Sequence, residues 1–382
     1  MFRLSAVGVL SGCMLFAQAA DPQSSEQHLQ QAISLHQKGD FDGAITEYRA
    51  YLKLRPDAVD ARSNLGAALA HQGRYEEAIT EYRRALEKHA GNPGVILNLG
   101  LAYYKTGQFT EAAREFTAAR TLAPDQKQAV LLLADCRLRL GEYKDVIALL
   151  TPLEKTSPDD LAMVYMLGTA LVRDQQPERG QVLIDRILKN GDSAEARLLL
   201  GTTKMMANDY AGARSDLERA VELNPNLPDV YSYYASALLR TGDTTGATEA
   251  FLKELATDPN DFNSNLQLGA LLRQDEKLDP ALAHLERALR SRPGDPGARF
   301  QIASVHLAMG KTGQAREELE QLVKESPQFP EAHVTLATIY YRLKRKADGD
   351  RERAIVQKLT SERQAKEPGA QAADGEATKN QP

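Results

Sequence analysis

The 382-residue sequence has no tryptophan, two cysteines and only 6% aromatic residues. Cys13 lies in an N-terminal stretch that reads as a leader, so removal of that stretch leaves Cys136 alone and excludes an intrachain disulfide. Cys136 falls on an expected helix beside an apolar position and reads as a small buried thiol. No run of alternating apolar residues suggests strands. Past the N-terminus, no segment approaches the ~20 apolar residues that span a bilayer. A basic excess is also missing: 47 Lys and Arg face 52 Asp and Glu, a net charge of −5. Nucleic-acid binding, which needs a basic footprint, is therefore not expected.

Catalytic signatures are absent too. The seven histidines form no H-E-x-x-H pair and stand at no ligand spacing with one another or with cysteine. There is no G-x-x-x-x-G-K-[ST] phosphate loop, because the stretch from Gly242 to Gly246 lacks the lysine, and no G-x-S-x-G elbow. Acidic pairs such as Glu76 with Glu77 and Glu317 with Glu318 open helices, where they favour the helix dipole. The reading is a non-enzyme with no cofactor and no metal.

What the sequence does contain is a repeating unit, cleanest from Pro93 to Gln126. Ile96, Leu99 and Tyr103 share one helical face, the stripe that must be buried. Gly100 lacks a side chain, so a neighbouring helix can approach. Gly107 suits the left-handed residue that ends a first helix. Ala112 and Phe116 recur one turn apart on a second helix, and Pro124 stops it. The Gly100 position recurs as Ala32, Gly66, Ala134, Gly168, Gly201, Ala235, Gly269, Ala303 and Ala337, in steps of 34 residues except for 33 between Gly168 and Gly201. Ala112 recurs in register, as Ala44, Ala78, Val146, Gly180, Ala213, Ala247, Ala281 and Ala315.

These residues resemble the tetratricopeptide repeat, W-x-x-L-G-x-x-Y followed by A-x-x-x-F and P, with Ile96 in place of the tryptophan. The resemblance covers Ser25 to Lys344 and implies an all-α, right-handed α-solenoid of about ten helix-turn-helix units. The units expected are 25–58, 59–92, 93–126, 127–160, 161–193, 194–227, 228–261, 262–295, 296–329 and 330–366, the last pairing a first helix with a charged capping helix. Pro152 is expected to bend the second helix of the fourth unit. The fifth unit is degenerate: Asp174 to Pro177 replace the glycine turn, Gly180 replaces alanine, and Asn190 to Asp192 replace the proline. An irregular joint is expected there, near residues 174–193.

The two ends read differently. Arg3, the apolar stretch Leu4 to Phe16, and Ala17-Gln18-Ala19 have the layout of a signal peptide over residues 1–19, cleaved after Ala19. Leu10 to Cys13 also resembles a bacterial lipobox, which would make Cys13 a lipid anchor. Either points to export, to the periplasm or beyond. Residues 367–382 are polar without apolar periodicity and are expected to be disordered.

In this family the first helices line a concave groove. The resemblance therefore implies that residues two before the small-residue position face it: Asn64, Asn98, Leu132, Met166, Leu199, Tyr233, Gln267 and Gln301. Tyr165 extends its apolar middle. Lys105, Arg139, Arg173 and Arg240 close the first helices, where they either attract acidic segments or offset the macrodipole. The lysine-asparagine-arginine clamp of chaperone-binding relatives is not recognisable, since its positions hold Leu29, Ile33, Asn64, Gly94 and Asn98. The implied function is an exported protein-interaction scaffold that presents its groove to an extended or helical partner segment, in cell-envelope assembly. A self-associating scaffold and the repeat subunit of a two-chain enzyme, such as a glycosyltransferase or metallopeptidase, are the alternatives.

Overall fold

The computed structural model describes residues 22–366, apart from 125, 159 and 190. The leader expected at 1–19, with Cys13, and the tail expected at 367–382 lie outside the described residues. Among the described residues there are twenty helices and no strand. None is long and apolar enough to cross a membrane.

The chain divides into two compact units, residues 1–102 and 103–382. The first holds α1 (Pro22–Gln37), α2 (Phe41–Leu54), α3 (Val59–His71) and α4 (Tyr75–Lys88), and α5 (Pro93–Lys105) runs across the division. The second holds α6 (Phe109–Leu122), α7 (Lys127–Leu140), α8 (Tyr143–Glu154), α9 (Leu161–Arg173), α10 (Pro177–Leu188), α11 (Ala194–Met206) and α12 (Tyr210–Leu223). It continues with α13 (Val230–Arg240), α14 (Thr244–Thr257), α15 (Phe262–Gln274), α16 (Leu278–Ser291), α17 (Pro296–Ala308), α18 (Thr312–Glu325), α19 (Pro330–Arg342) and α20 (Lys346–Lys366). Odd-numbered helices are the first of each hairpin. They also pack on one another, α7 on α9, α9 on α11, α11 on α13 and α15 on α17, and so share one face.

The small-residue positions are where the two helices of a hairpin meet. A Cβ on Gly66 would stand 2.7 Å from the Tyr82 ring, and one on Gly201 or Gly269 would stand 2.5 or 2.6 Å from Leu217 or Leu285. Nothing larger than the native residue fits without displacing the second helix. Ala112, Ala213, Ala247, Ala281 and Ala315 are buried in the same seams.

Each hairpin turn places one residue in the left-handed region: Gly39, Gly73, Gly107, Gly141, Gln175, Asn208, Gly242, Glu276, Gly310 and Lys344. The steps are 34 residues except for 33 from Gln175 to Asn208. The amide after it bonds back to the helix it has just left, as Asp40 to the Leu35 carbonyl at 3.0 Å and Gln176 to the Leu171 carbonyl at 2.9 Å. This is the helix-ending motif that favours glycine. The turn geometry thus persists where glycine does not.

Two expectations about the middle of the array need correction. The segment 174–193 is no break in the packing. One apolar cluster runs from Val130 through Leu167, Leu183 and Ile187 to Leu199, from α7 to α11. Asp192 is held at 2.6 Å by Arg197 and at 3.1 Å by Arg219. Gly180 is complementary rather than defective: a Cβ there would meet Val172, which is fully buried, at 2.7 Å. Pro152 lies inside α8, in its last turn, where it removes one backbone donor. Cys136 is a free thiol buried in α7, and that burial raises its pKa.

Candidate functional site

Within the second unit, repeats far apart in sequence touch. Arg139 ends α7 and pairs with Asp135 at 3.0 Å, one turn back, and with Asp258 in the α14–α15 connection. The Asn260 amide donates to the Lys105 carbonyl at 3.3 Å, and its side chain fills the space above Gly107. Arg292 donates from Nε to the Arg139 carbonyl at 2.5 Å and lies 4.1 Å from the Phe262 ring centroid. Gly107 and the end of α7 therefore receive the loops that follow α14 and α16.

These contacts enclose a cavity of about 380 Å³ on the first-helix face. Its walls come from α7, α9, α13 and α15. Tyr165, Met166, Thr169 and Arg173 line one side, Asp229, Ser232 and Tyr233 another, and Phe262 with Arg292 close it. Arg173 stands 5.1 Å from the Tyr233 ring and 5.9 Å from that of Tyr143. A shallower hollow of about 620 Å³ shares Arg173 and Tyr233 and continues along Met205, Met206, Arg240 and Gln267.

Asp229 is the unusual residue of this site. It precedes α13 with φ 65°, the only described non-glycine residue at positive φ that is not in a hairpin turn. An aspartate at the start of a helix ordinarily caps it, as Asp261 caps α15 through the Ser264 amide at 2.7 Å. Asp229 does not, because Glu254 has taken that role. The buried Glu254 carboxylate accepts from the amides of Asp229, Tyr231 and Ser232 at 3.1, 3.0 and 3.2 Å. Burial raises the Asp229 pKa to about 6, Asp261, Asp135 and Asp258 adding to the rise and Arg139 opposing it. Glu254 is pushed up to about 8 by burial and then by Asp229 and Asp261, against the pull of its backbone donors. Next to Asp229, the Tyr165 phenol is raised by burial and then by the Asp229 charge.

The residues expected at the groove are dispersed. Arg139, Tyr165, Met166, Arg173 and Tyr233 meet at the cavity. Lys105 borders an adjoining hollow, while Arg240 and Gln267 line the shallower one. Gln301 accepts from Arg273 Nε at 3.2 Å. Asn64 and Asn98 belong to the first unit, half-buried on α3 and α5, with the Asn64 amide against the Tyr48 hydroxyl. Leu132 is half-buried on α7. Leu199 does not face a groove: it is 1% exposed and fills the space left by Gly168 on α9. Asp229, Asn260, Phe262 and Arg292 carry no mark in the repeat pattern, since they sit at or beside connections brought in by the fold-back. The sequence signal nearest to them is the Pro225 to Asp229 connection, with two prolines in five residues.

Comparison with known proteins agrees with this architecture. One tetratricopeptide-repeat family model matches residues 29–93, 165–228, 198–262 and 234–296, and a second matches 103–171, 272–339 and 306–351. Among solved structures, the APC/C hetero-tetramer Cut9–Hcn1 is similar at 13% identity, over 88% of this chain and 87% of that one, with a TM-score of 0.52. Yeast Tom70 is similar at 14% identity over 89% and 92%, with a TM-score of 0.37. MamA is similar at 20% identity over 44% and 91%, with a TM-score of 0.41. The family models cover most of the sequence and the helices pair as that repeat requires: the chain belongs to the tetratricopeptide-repeat family, an all-α solenoid of helix hairpins.

Proposed function

We propose that this protein is an exported interaction scaffold whose first-helix face, between residues 103 and 366, receives an extended segment of a partner protein in cell-envelope assembly. The observation that carries this reading is the cavity and its continuation. A pocket of about 380 Å³ opens beside a shallower hollow of about 620 Å³, and the two share Arg173 and Tyr233. A segment lying in the hollow can place one side chain in the pocket, the way extended ligands combine a track with a specificity pocket. The repeat family supports binding to protein, and the leader-like residues 1–19 support export. The envelope setting rests on that leader.

The test is crosslinking in the native envelope, followed by mass spectrometry, with the wild-type chain beside Thr169→Trp. Thr169 lines the cavity, so an indole there obstructs it. Loss of the crosslinked partner with an unchanged unfolding midpoint is expected. A partner that is captured equally by both chains places binding elsewhere. Mass analysis of the mature N-terminus separates a start at Ala20 from lipidated Cys13, and an intact Met1 overturns export by this leader.

A further inference from the structure

We propose that the cavity beside α9 and α13 recognises a primary ammonium group, a lysine side chain or a chain N-terminus, with the Asp229 carboxylate as its counter-ion and the Tyr165 ring as its wall. This assignment rests on the concave-face reading above and names the chemistry of its occupant.

The argument is an inventory of what each charged group already has. The three cations at the cavity have partners within the chain. Arg139 is engaged by Asp135 and Asp258, Arg292 by the Arg139 carbonyl and the Phe262 ring, and Arg173 by the rings of Tyr143 and Tyr233. Two of the carboxylates are likewise used. Asp261 caps α15, and Asp135 accepts from the Tyr104 hydroxyl at 2.5 Å besides pairing with Arg139. The Asp229 carboxylate accepts no hydrogen bond and caps no helix among the described residues. Glu254 holds the amides that Asp229 would otherwise satisfy.

Asp229 is half-buried, and a partly desolvated carboxylate with no donor from the chain gains when a cationic guest supplies one. Its left-handed backbone is a cost of the kind kept where a site requires it. The field around it chooses the sign of the guest. Asp261, Asp135 and Asp258 all disfavour further negative charge at Asp229, and Arg139 alone opposes them strongly. The remaining groups that face the site are Glu195 from α11, Arg173 from α9 and Arg292 from the α16–α17 connection, with Glu254 behind Asp229 on α14. An ammonium placed there gains from these carboxylates, and the three guanidiniums that oppose it are each already engaged within the chain. Tyr165, with no cation of the chain over its ring among the described residues, supplies an aromatic face for it. The volume, about 380 Å³, admits an amine together with the residue that carries it.

Three probes test the assignment by ligand-observed NMR on the full chain: Nα-acetyl-lysine methylamide, its Nε-acetylated counterpart, and alanyl-alaninamide. The first probe binding alone identifies a lysine side chain, the third alone a chain N-terminus, and either supports the proposal. Acetylation of the amine weakens binding by about tenfold or more, as loss of a charge-assisted hydrogen bond does. Asp229→Asn weakens it equally. Asparagine tolerates the left-handed backbone, so this variant keeps the fold, and its unfolding midpoint at pH 5, where wild-type Asp229 is protonated, checks that. Affinity falls as the pH drops through about 6.

Equal binding of the amine and its acetylated form overturns the ammonium assignment. If Thr169→Trp abolishes both, the cavity reading stands without it. No binding of either amine at roughly 10 mM also overturns the assignment, and partner crosslinking then judges the concave face separately.

Discussion

Arg292 donates to the backbone carbonyl of Arg139 at 2.5 Å across 153 residues of chain. A helix C-terminus has carbonyls without intrahelical partners, and a guanidinium satisfies one of them while opposing the dipole. Because α7 ends there, the contact both caps that helix and holds the fold-back. Arg292→Ala should cost about 1–3 kcal/mol in unfolding free energy, the range for a charge-assisted hydrogen bond. Hydrogen exchange should quicken in the 105–109 turn and in the 258–262 connection, which Arg292 does not itself belong to. Unchanged exchange in both would mean that the Asn260 and Asp258 contacts close the structure without it.

Asp229, half-buried, and Glu254, buried, make stability depend on pH in the opposite sense from ordinary surface ion pairs. Asp229 and Glu254 hold protons more tightly folded than unfolded, so their contribution is complete below the usual carboxylate range. It is lost as the pH rises through about 6 for Asp229 and about 8 for Glu254. Stability should therefore fall by about 2–3 kcal/mol or more from pH 5 to 8.5. Chemical denaturation at several pH values reads this directly. Asp229→Asn should flatten the portion near pH 6, and a flat wild-type profile would refute the raised pKa of these two acids.

Gly180 invites a misleading substitution. In a helix interior, Gly→Ala ordinarily stabilises by about 0.5–1 kcal/mol. Here the new methyl would meet Val172 Cγ2 at 2.7 Å, and Val172 is fully buried on α9. Gly180→Ala should instead destabilise by about 1 kcal/mol or more through overpacking. Combined with Val172→Ala, it should cost less than the two changes summed, which a double-mutant cycle measures.

Glu276 and Lys344 sit at hairpin turns with φ 60° and 59°. A non-glycine residue there carries about 1–2 kcal/mol of local strain. Glycine removes the strain but loosens the unfolded chain by about 0.4–1 kcal/mol. Glu276→Gly should therefore raise stability by roughly 0.5 kcal/mol, and the gain should recur at Lys344. A loss at both positions would show that these side chains make contacts worth more than the strain.

The periodic part of this structure was open to reading from the sequence, because Gly66, Gly201 and Ala112 each answer to a nearest-neighbour constraint repeated at a constant spacing. The same spacing puts Arg139 and Arg173 at the ends of first helices, where both line the cavity, but it does not give their partners. Asp258 is 119 residues from Arg139, and no repeat pattern encodes a pairing at that range. Asp229 was hidden by its ordinary appearance, since an aspartate before a helix reads as a cap until Glu254 is seen in its place. Leu199 was misplaced because facing a groove and facing Gly168 of the neighbouring helix differ by a local rotation that spacing alone does not report.

The fold-back also changes how the second unit should come apart. A linear array of hairpins frays from its ends, each repeat depending only on its neighbours. With Arg139 tied to Asp258 and Arg292, the hairpins between α7 and α16 form a closed circuit. None of them has a free end from which to melt. They should unfold as one cooperative block, and they should fold late, since closing the circuit demands contacts of long sequence separation.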